Sequence, residues 1–313
     1  MDFRVAVGLA GLTPLAFCVS VASAQIEDQL QAYTGRNAAG YLGPLVEAIG
    51  TDLNSGLFHS AKIPKDGFHA SLELTAMTVF FGADSRVFRA TTEGDFSPEQ
   101  STLAPTVIGP TQSVSLPGDA GTLYAFPGGF DVDNLPFAVP QLRISSWHGT
   151  EAVLRYLIFD TGNADLGELN LYGLGARHSL SQYLGDGFPA DLALAVLWQN
   201  VSLGNNQQGG HLMTSNAYSV GLQASRTFGD LTPYTGLALD WCSLDVTYEY
   251  SFFNQTDTID LSLDSGTDIH FTFGFSYSLA FVDAFGEYNL ANQNALSVGL
   301  AFQYTSSDRS VGP

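Results

Sequence analysis

Lysine is almost missing. The 313-residue chain has two, Lys62 and Lys65, in one short stretch, and only 11 basic side chains in all against 31 acidic ones. A surface that neutralises phosphates needs clustered Lys and Arg, so duplex binding is excluded and no nucleic-acid partner is expected. Charge of either sign is scarce, at 13% of residues, about half the share usual in soluble domains. Cysteine is limited to Cys18 and Cys242. Apolar runs are missing except at the start, where Val5 to Val21 follows Arg4 and precedes Ala22-Ser23-Ala24. A basic start, an apolar stretch and a small-x-small site make residues 1–24 a cleaved export signal. Gly8, Gly11 and Pro14 interrupt the run before it reaches the ~20 residues of a retained membrane helix. Phe17 before Cys18 argues against lipidation there, where a small residue is normal. Cleavage removes Asp2 and Arg4, leaving the net charge at −20, and leaves Cys242 alone, so no intramolecular disulfide is expected and the thiol reads as a small inert side chain.

Catalytic patterns are also missing. The six histidines (His59, His69, His148, His178, His211, His270) include no pair at zinc-motif spacing, and neither a G-x-S-x-G sequence nor a phosphate loop is found. His178-Ser179 would place its two groups on opposite faces of a strand; His270 with Ser276 is the other Ser/His pair that strands could bring together. The expectation is a non-enzyme with no catalytic residues, metal or cofactor.

What is present is 45% apolar residues, with 22 Phe, 13 Tyr and 33 Gly, ample to bury and suited to β-structure. Leu42, Leu45, Val46, Ile49, Leu53, Leu57 and Phe58 recur at helical intervals, predicting one helix from Tyr41 to about Ala61, with Pro44 in its first turn and Ile63-Pro64 closing it. From Asp84 to Asn134 the pattern dissolves into Gly, Pro, Ser and Thr, with apolar islands at Val87 to Ala90 and Thr122 to Phe126. A segment that long is expected to fold over or into something.

The remainder alternates with period two. Ile269, Phe271, Phe273, Phe275, Tyr277 and Leu279 oppose His270, Thr272, Gly274, Ser276 and Ser278. The same alternation runs through Phe68 to Phe80, Leu192 to Trp198, Tyr218 to Phe228, Leu237 to Trp241 and Leu296 to Tyr304, with weaker strands at Ala138 to Trp147, Ala152 to Phe159, Glu168 to Leu180 and Val282 to Leu290. Beyond Cys242 the apolar set changes parity to Leu244, Val246, Tyr248 and Tyr250, predicting a bulge near Cys242-Ser243. Strands of this length suit a tilted bilayer crossing. Aromatics near strand ends (Phe68, Phe80, Phe188, Trp198, Tyr218, Phe228, Tyr234, Tyr250, Tyr304) suit interfacial girdles.

The expected fold is all-β: an antiparallel up-and-down transmembrane β-barrel of ~10–12 strands, with an N-terminal helix and a long plug-like or lid-like loop. A secreted β-sandwich is the alternative. The expected organisation is a signal peptide at 1–24, an N-terminal helical segment at 25–67, a barrel at 68–304 including the irregular segment 84–134, and a tail at 305–313.

The stretch Tyr41-x-x-Pro44, Gly50-x-x-Leu53-Asn54-x-Gly56-Leu57-Phe58-x-x-Ala61-Lys62 and Gly67-Phe68 resembles an uncharacterised family of exported Gram-negative β-barrel-like proteins. Leu103-Ala104-Pro105-Thr106-Val107-Ile108-Gly109-Pro110, Leu135-Pro136-x-x-x-Pro140-Gln141-Leu142 and Gly149-Thr150-Glu151-x-x-x-Arg155-Tyr156 are similar to its middle segments. The resemblance implies an outer-membrane barrel with an N-terminal helical segment and brings no substrate or catalytic residue. A more distant likeness, of architecture alone, is to fatty-acid-transporter-type barrels. Gly299, Phe302 and Tyr304 look like the terminal-strand signal read by barrel-insertion machinery, although nine residues follow Tyr304.

If the apolar sets face lipid, Glu73, Asp240, Asp245, Glu249, Asp283 and Glu287 line the lumen with Arg143 and Arg155. Two functions follow. These charges line a narrow gated path for a small or amphipathic solute, or they fix the helix and the long loop in place inside a sealed structural or interaction barrel whose loop 84–134 contacts a partner. The expected location is the outer membrane, with its lipid and the insertion machinery as partners.

Overall fold

The structure, a computed structural model, describes residues 33, 35–162, 167–184, 188–204, 212–252 and 255–305. The export signal and residues 306–313 of the tail lie outside the described residues. One α-helix, α1 (Gly35–Leu53), precedes β1 (His69–Phe80). Four short strands follow: β2 (Val87–Thr91), β3 (Ser101–Pro105), β4 (Val114–Pro117) and β5 (Leu123–Phe126). Nine long ones complete the chain: β6 (Asn134–Trp147), β7 (Thr150–Asp160), β8 (Glu168–Ser179), β9 (Asp191–Gly204), β10 (Met213–Ser225), β11 (Leu231–Phe252), β12 (Gln255–Leu279), β13 (Val282–Leu290) and β14 (Asn294–Thr305).

β1 and β6 to β14 form a closed antiparallel barrel in sequence order, with β1 paired to both β6 and β14. Ten strands are therefore in the wall. The two apolar islands instead form separate hairpins, β2–β3 and β4–β5, and the two-sheet sandwich is overturned by the closure. Alternation sets the faces. On β1, Ser71, Glu73, Thr75, Met77 and Val79 are buried inside while Leu72 and Leu74 are exposed outside; on β14, Ala295, Ser297 and Ala301 face inward while Leu296, Val298, Leu300 and Phe302 face outward.

The two ends differ. His69 and Thr305 sit at one end, with the short turns His148-Gly149 and Ala280-Phe281. The other end carries the long connection between β1 and β6 and the extended ends of β11 and β12. Outside, Trp198, Tyr218 and Trp241 lie side by side across β9, β10 and β11, and Phe68 meets Tyr304 edge-on at 6.4 Å near the short-turn end. From Leu231 to Trp241 the ten residue steps of β11 rise about 25 Å along the axis, at ~3.3 Å per residue and ~40° tilt. The outer wall between is covered by large apolar side chains such as Leu222, Leu239, Ile269, Phe273 and Val298, each exposed. Tyr234, expected in a girdle, is instead buried in the lumen, because its even position faces inward beside Thr232 and Gly236.

α1 is buried nearly all round. Tyr41, Leu42, Val46, Ile49 and Leu53 pack against Met77, Val139, Leu171, Val201, Ala217 and Cys242 of the wall, and Ala48 against Val79 and Ala295. It starts before Tyr41 and ends at Leu53, shorter at its C-terminal side than the periodicity predicts, so Pro44 is interior rather than in the first turn. Leu57 and Phe58 keep the spacing but belong to an irregular strand of chain, because Gly56 adopts φ +64° and a Cβ there would lie 2.3 Å from Thr75 Cγ2. The β2–β3 and β4–β5 hairpins form a lid on α1 at the long-loop end: Val107 N donates to Tyr41 O (2.9 Å), Asn37 bonds both N and O of Thr91, and Tyr41 Oη donates to Gly128 O (3.1 Å).

Candidate functional site: the plugged lumen

From Leu53 the chain descends the lumen to Ile63, and its backbone is held by wall side chains. Arg155, from the inward face of β7, makes five hydrogen bonds: to Leu53 O (2.7 Å), Ser55 O (2.9 Å), Gly56 O (2.9 Å), Gln141 Oε1 (2.9 Å) and Gln199 Oε1 (3.1 Å). The guanidinium thus caps the C-terminal end of α1, where the last carbonyls lack partners and the helix dipole favours a cation. Gln199 Nε2 also donates to Leu53 O (2.5 Å) and Gln141 Nε2 to Leu57 O (3.3 Å).

Glu287 accepts from Gly56 N (2.6 Å), Asn289 Nδ2 (2.9 Å) and Tyr234 Oη (3.2 Å). Glu73 accepts from Ser71 Oγ (2.9 Å), Gln141 Nε2 (2.7 Å) and Arg143 Nε (2.5 Å), and Arg143 reaches on to His59 (2.8 Å). His59 stacks on Phe285 (5.1 Å, 10°) and lies 3.5 Å from Asp283. Lower down, Arg177 pairs with Glu151 (2.5 Å), lies over the face of Phe58 (5.6 Å) and donates to Ser60 O; Ser225 Oγ accepts from Ala61 N (2.8 Å). Beside the plug, near Phe58, Arg177 and His270, lies a cavity of about 40 Å³, enough for a few waters.

Glu73, Arg143, Asp240, Asp283, Glu287 and Arg155 are therefore inside. Asp240 is bonded to His270 (2.8 Å), which reaches Glu287 through Asn289. Ser276 Oγ donates to His59 O (3.1 Å), and no bond joins it to His270 among the described residues. Asp245 is a correction: it is exposed and accepts from Ser262 Oγ (2.6 Å). The register does shift between Trp241 and Ser243, but the extra residue lies in β12 at Ser265-Gly266, so even-numbered residues of β11 face inward from Thr232 to Val246. What changes is the surroundings. Above the Trp241 belt the inside is the apolar flank of α1, so Leu244 and Val246 pack inward on it, and the outer face turns polar. The side chain of Glu249 lies outside the described residues.

Phe302 and Tyr304 point outward, as expected of the terminal strand, while a Cβ on Gly299 would lie 2.2 Å from the Phe285 ring. Gly299 makes room for the Phe285–His59 stack. Sequence reasoning missed Arg177 and Glu151 as lumen groups, although their positions share the inward parity of Arg155 and Gly173. It also missed Asp52. That residue is buried, both carboxylate oxygens lack a hydrogen-bond partner among the described residues, and burial pushes its carboxyl well above the usual range. Asp52 sits on α1, one turn beyond Ala48 on the same face.

The profile of the family described as "Family of unknown function (DUF6588)" matches residues 5–304. No curated protein matches the chain. Among solved structures, the chain is similar to Ail, the attachment invasion locus protein of Yersinia pestis (9% identity, 76% of this chain and 99% of that one, TM-score 0.25). It is also similar to the KdgM porin (11%, 75% and 99%, TM-score 0.26) and to the transport unit of the autotransporter AIDA-I from Escherichia coli (12%, 88% and 100%, TM-score 0.31).

Proposed function

The chain belongs to this family of unknown function, and we propose that it is an outer-membrane barrel held shut by its own N-terminal segment, acting as a structural or interaction protein rather than an enzyme. Membrane residence is supported by the outer wall. An apolar band of about 25 Å bounded by aromatic belts matches the lipid-facing band of such barrels, and it far exceeds the few hundred Å² of apolar patch found on soluble monomers. Export by a cleaved signal at 1–24 and delivery by the insertion machinery through Gly299, Phe302 and Tyr304 complete the reading. Short turns belong to the periplasmic side of these barrels. The lid and the start of α1 therefore face the cell exterior.

The observation that carries the sealed state is Arg155, whose guanidinium holds three plug carbonyls at once. A second reading, a gated path for a small or amphipathic solute, is favoured by Asp52. An unpaired buried carboxylate weakens the very element that closes the lumen. Fractionation tests the location, with Leu123→Cys on the lid labelled in intact cells by an impermeant maleimide. Recovery in detergent-extracted membranes with surface labelling supports the proposal; a soluble periplasmic protein overturns it.

A further inference from the structure

Where the plug leaves the lumen at the short-turn end, it forms one wall of a cleft of about 580 Å³. Cavities of ~300–1,000 Å³ are the size that holds small ligands. The cleft has two chemistries. Lys62, Lys65 and Arg226 line it, which places both lysines of the chain in one cavity, and Ile63, Leu184 and Phe188 supply apolar surface. Among the described residues, Asp191 is the carboxylate on its wall. None of the three cations is in an ion pair among the described residues, where the paired bases are His59, Arg86, Arg143, Arg177 and His270. Arg226 instead lies 5.1 Å over the Phe228 ring.

On a protein of net charge −20, three cations against one carboxylate among the described lining residues of an open, concave cleft focus positive potential at this mouth. Anions are repelled by most of the surface and attracted here. A purely inorganic anion would leave Leu184 and Phe188, both exposed, unused.

We propose that this cleft binds an amphiphilic anion: a phosphate or carboxylate headgroup on Lys62, Lys65 and Arg226, with a short apolar tail against Phe188 and Leu184. Lys62 follows Ala61, which is bonded to the wall through Ser225, so the ligand contacts the end of the plug itself. The proposal needs the plugged barrel but not its membrane location, and the test is run without a bilayer.

The full mature chain in maltoside micelles is titrated calorimetrically with hexyl phosphate, inorganic phosphate and hexanol, and heat-modifiable migration verifies that each variant is closed. Hexyl phosphate is expected to bind at least tenfold more tightly than either fragment. Lys62→Gln with Lys65→Gln is expected to weaken it about tenfold, the scale of two partly exposed charge-assisted contacts. Arg226→Gln, on a different connection, and Phe188→Ser weaken it severalfold. Equal affinity for hexyl phosphate and inorganic phosphate, or unchanged binding in the closed Arg226→Gln and double-lysine variants, overturns the proposal.

Discussion

Replacing Arg155 by Met removes the group that ties the plug to the wall while keeping its length. Three of its five hydrogen bonds go to plug carbonyls. Charge-assisted bonds contribute about 1.5–3 kcal/mol each, but they do not add fully, and Leu53 O keeps its bond from Gln199. The variant therefore leaves two buried carbonyls, Ser55 and Gly56, with their acceptors open, and it removes a charge near Glu73 and Glu287. Losses of this kind run to about 3–5 kcal/mol. At ~1.4 kcal/mol per tenfold, the equilibrium for plug release shifts by roughly a hundredfold to a few thousandfold. Hydrogen exchange reads this directly, because Gly56 N and Ala61 N are bonded to Glu287 and Ser225. Amides of residues 54–61 should lose protection by that factor in Arg155→Met, while β12 to β14 keep theirs. Unchanged protection in the plug would refute the reasoning. So would loss of protection in plug and wall together, which would make Arg155 a determinant of barrel closure instead.

Asp52→Asn is expected to tighten the plug and to flatten its pH dependence. Burial raises the folded-state pKa of Asp52 above its unfolded value, so plug docking is strongest at acid pH and weakens as pH rises above about 4 towards the folded value; exchange of residues 54–61 against pH checks both variants. Asp240→Ala should lower the unfolding temperature in micelles, through a loss of roughly 2–3 kcal/mol as buried His270 loses its carboxylate partner and keeps only the bonds of its other ring nitrogen, whereas exposed Asp245→Ala should change stability by less than about 0.5 kcal/mol. Val298→Arg, on the outer face of β14 between the belts, should cost about 2–4 kcal/mol in bilayers if the site is near the midplane, measured by urea unfolding from vesicles.

The barrel was legible because burial on one face imposes period two on every wall strand, and a sequence such as Ile269 to Leu279 has few other uses. The lid was legible only as a break in pattern. Val87 to Ala90 and Thr122 to Phe126 read as candidate wall strands, since a short apolar island does not state whether it pairs with the wall or with its own neighbour. An element held inside by lumen charges was legible, but the course of the plug beyond α1 was not. Leu57 and Phe58 continue the spacing of α1, and only the backbone of Gly56 shows that the helix has ended. Asp245 was misplaced for a related reason. The parity change after Cys242 was read as a turned strand under a fixed lipid exterior, but the strand continues past the apolar band, where inside and outside exchange polarity. Arg155 was placed in the lumen by alternation. Its role required knowing which carbonyls end there.

The most direct test is the single-molecule conductance of the full mature chain in a planar bilayer. A plugged barrel passes no steady ion current at moderate voltage, and Arg155→Met should produce openings that the native protein lacks. A native protein that conducts steadily would contradict the sealed lumen.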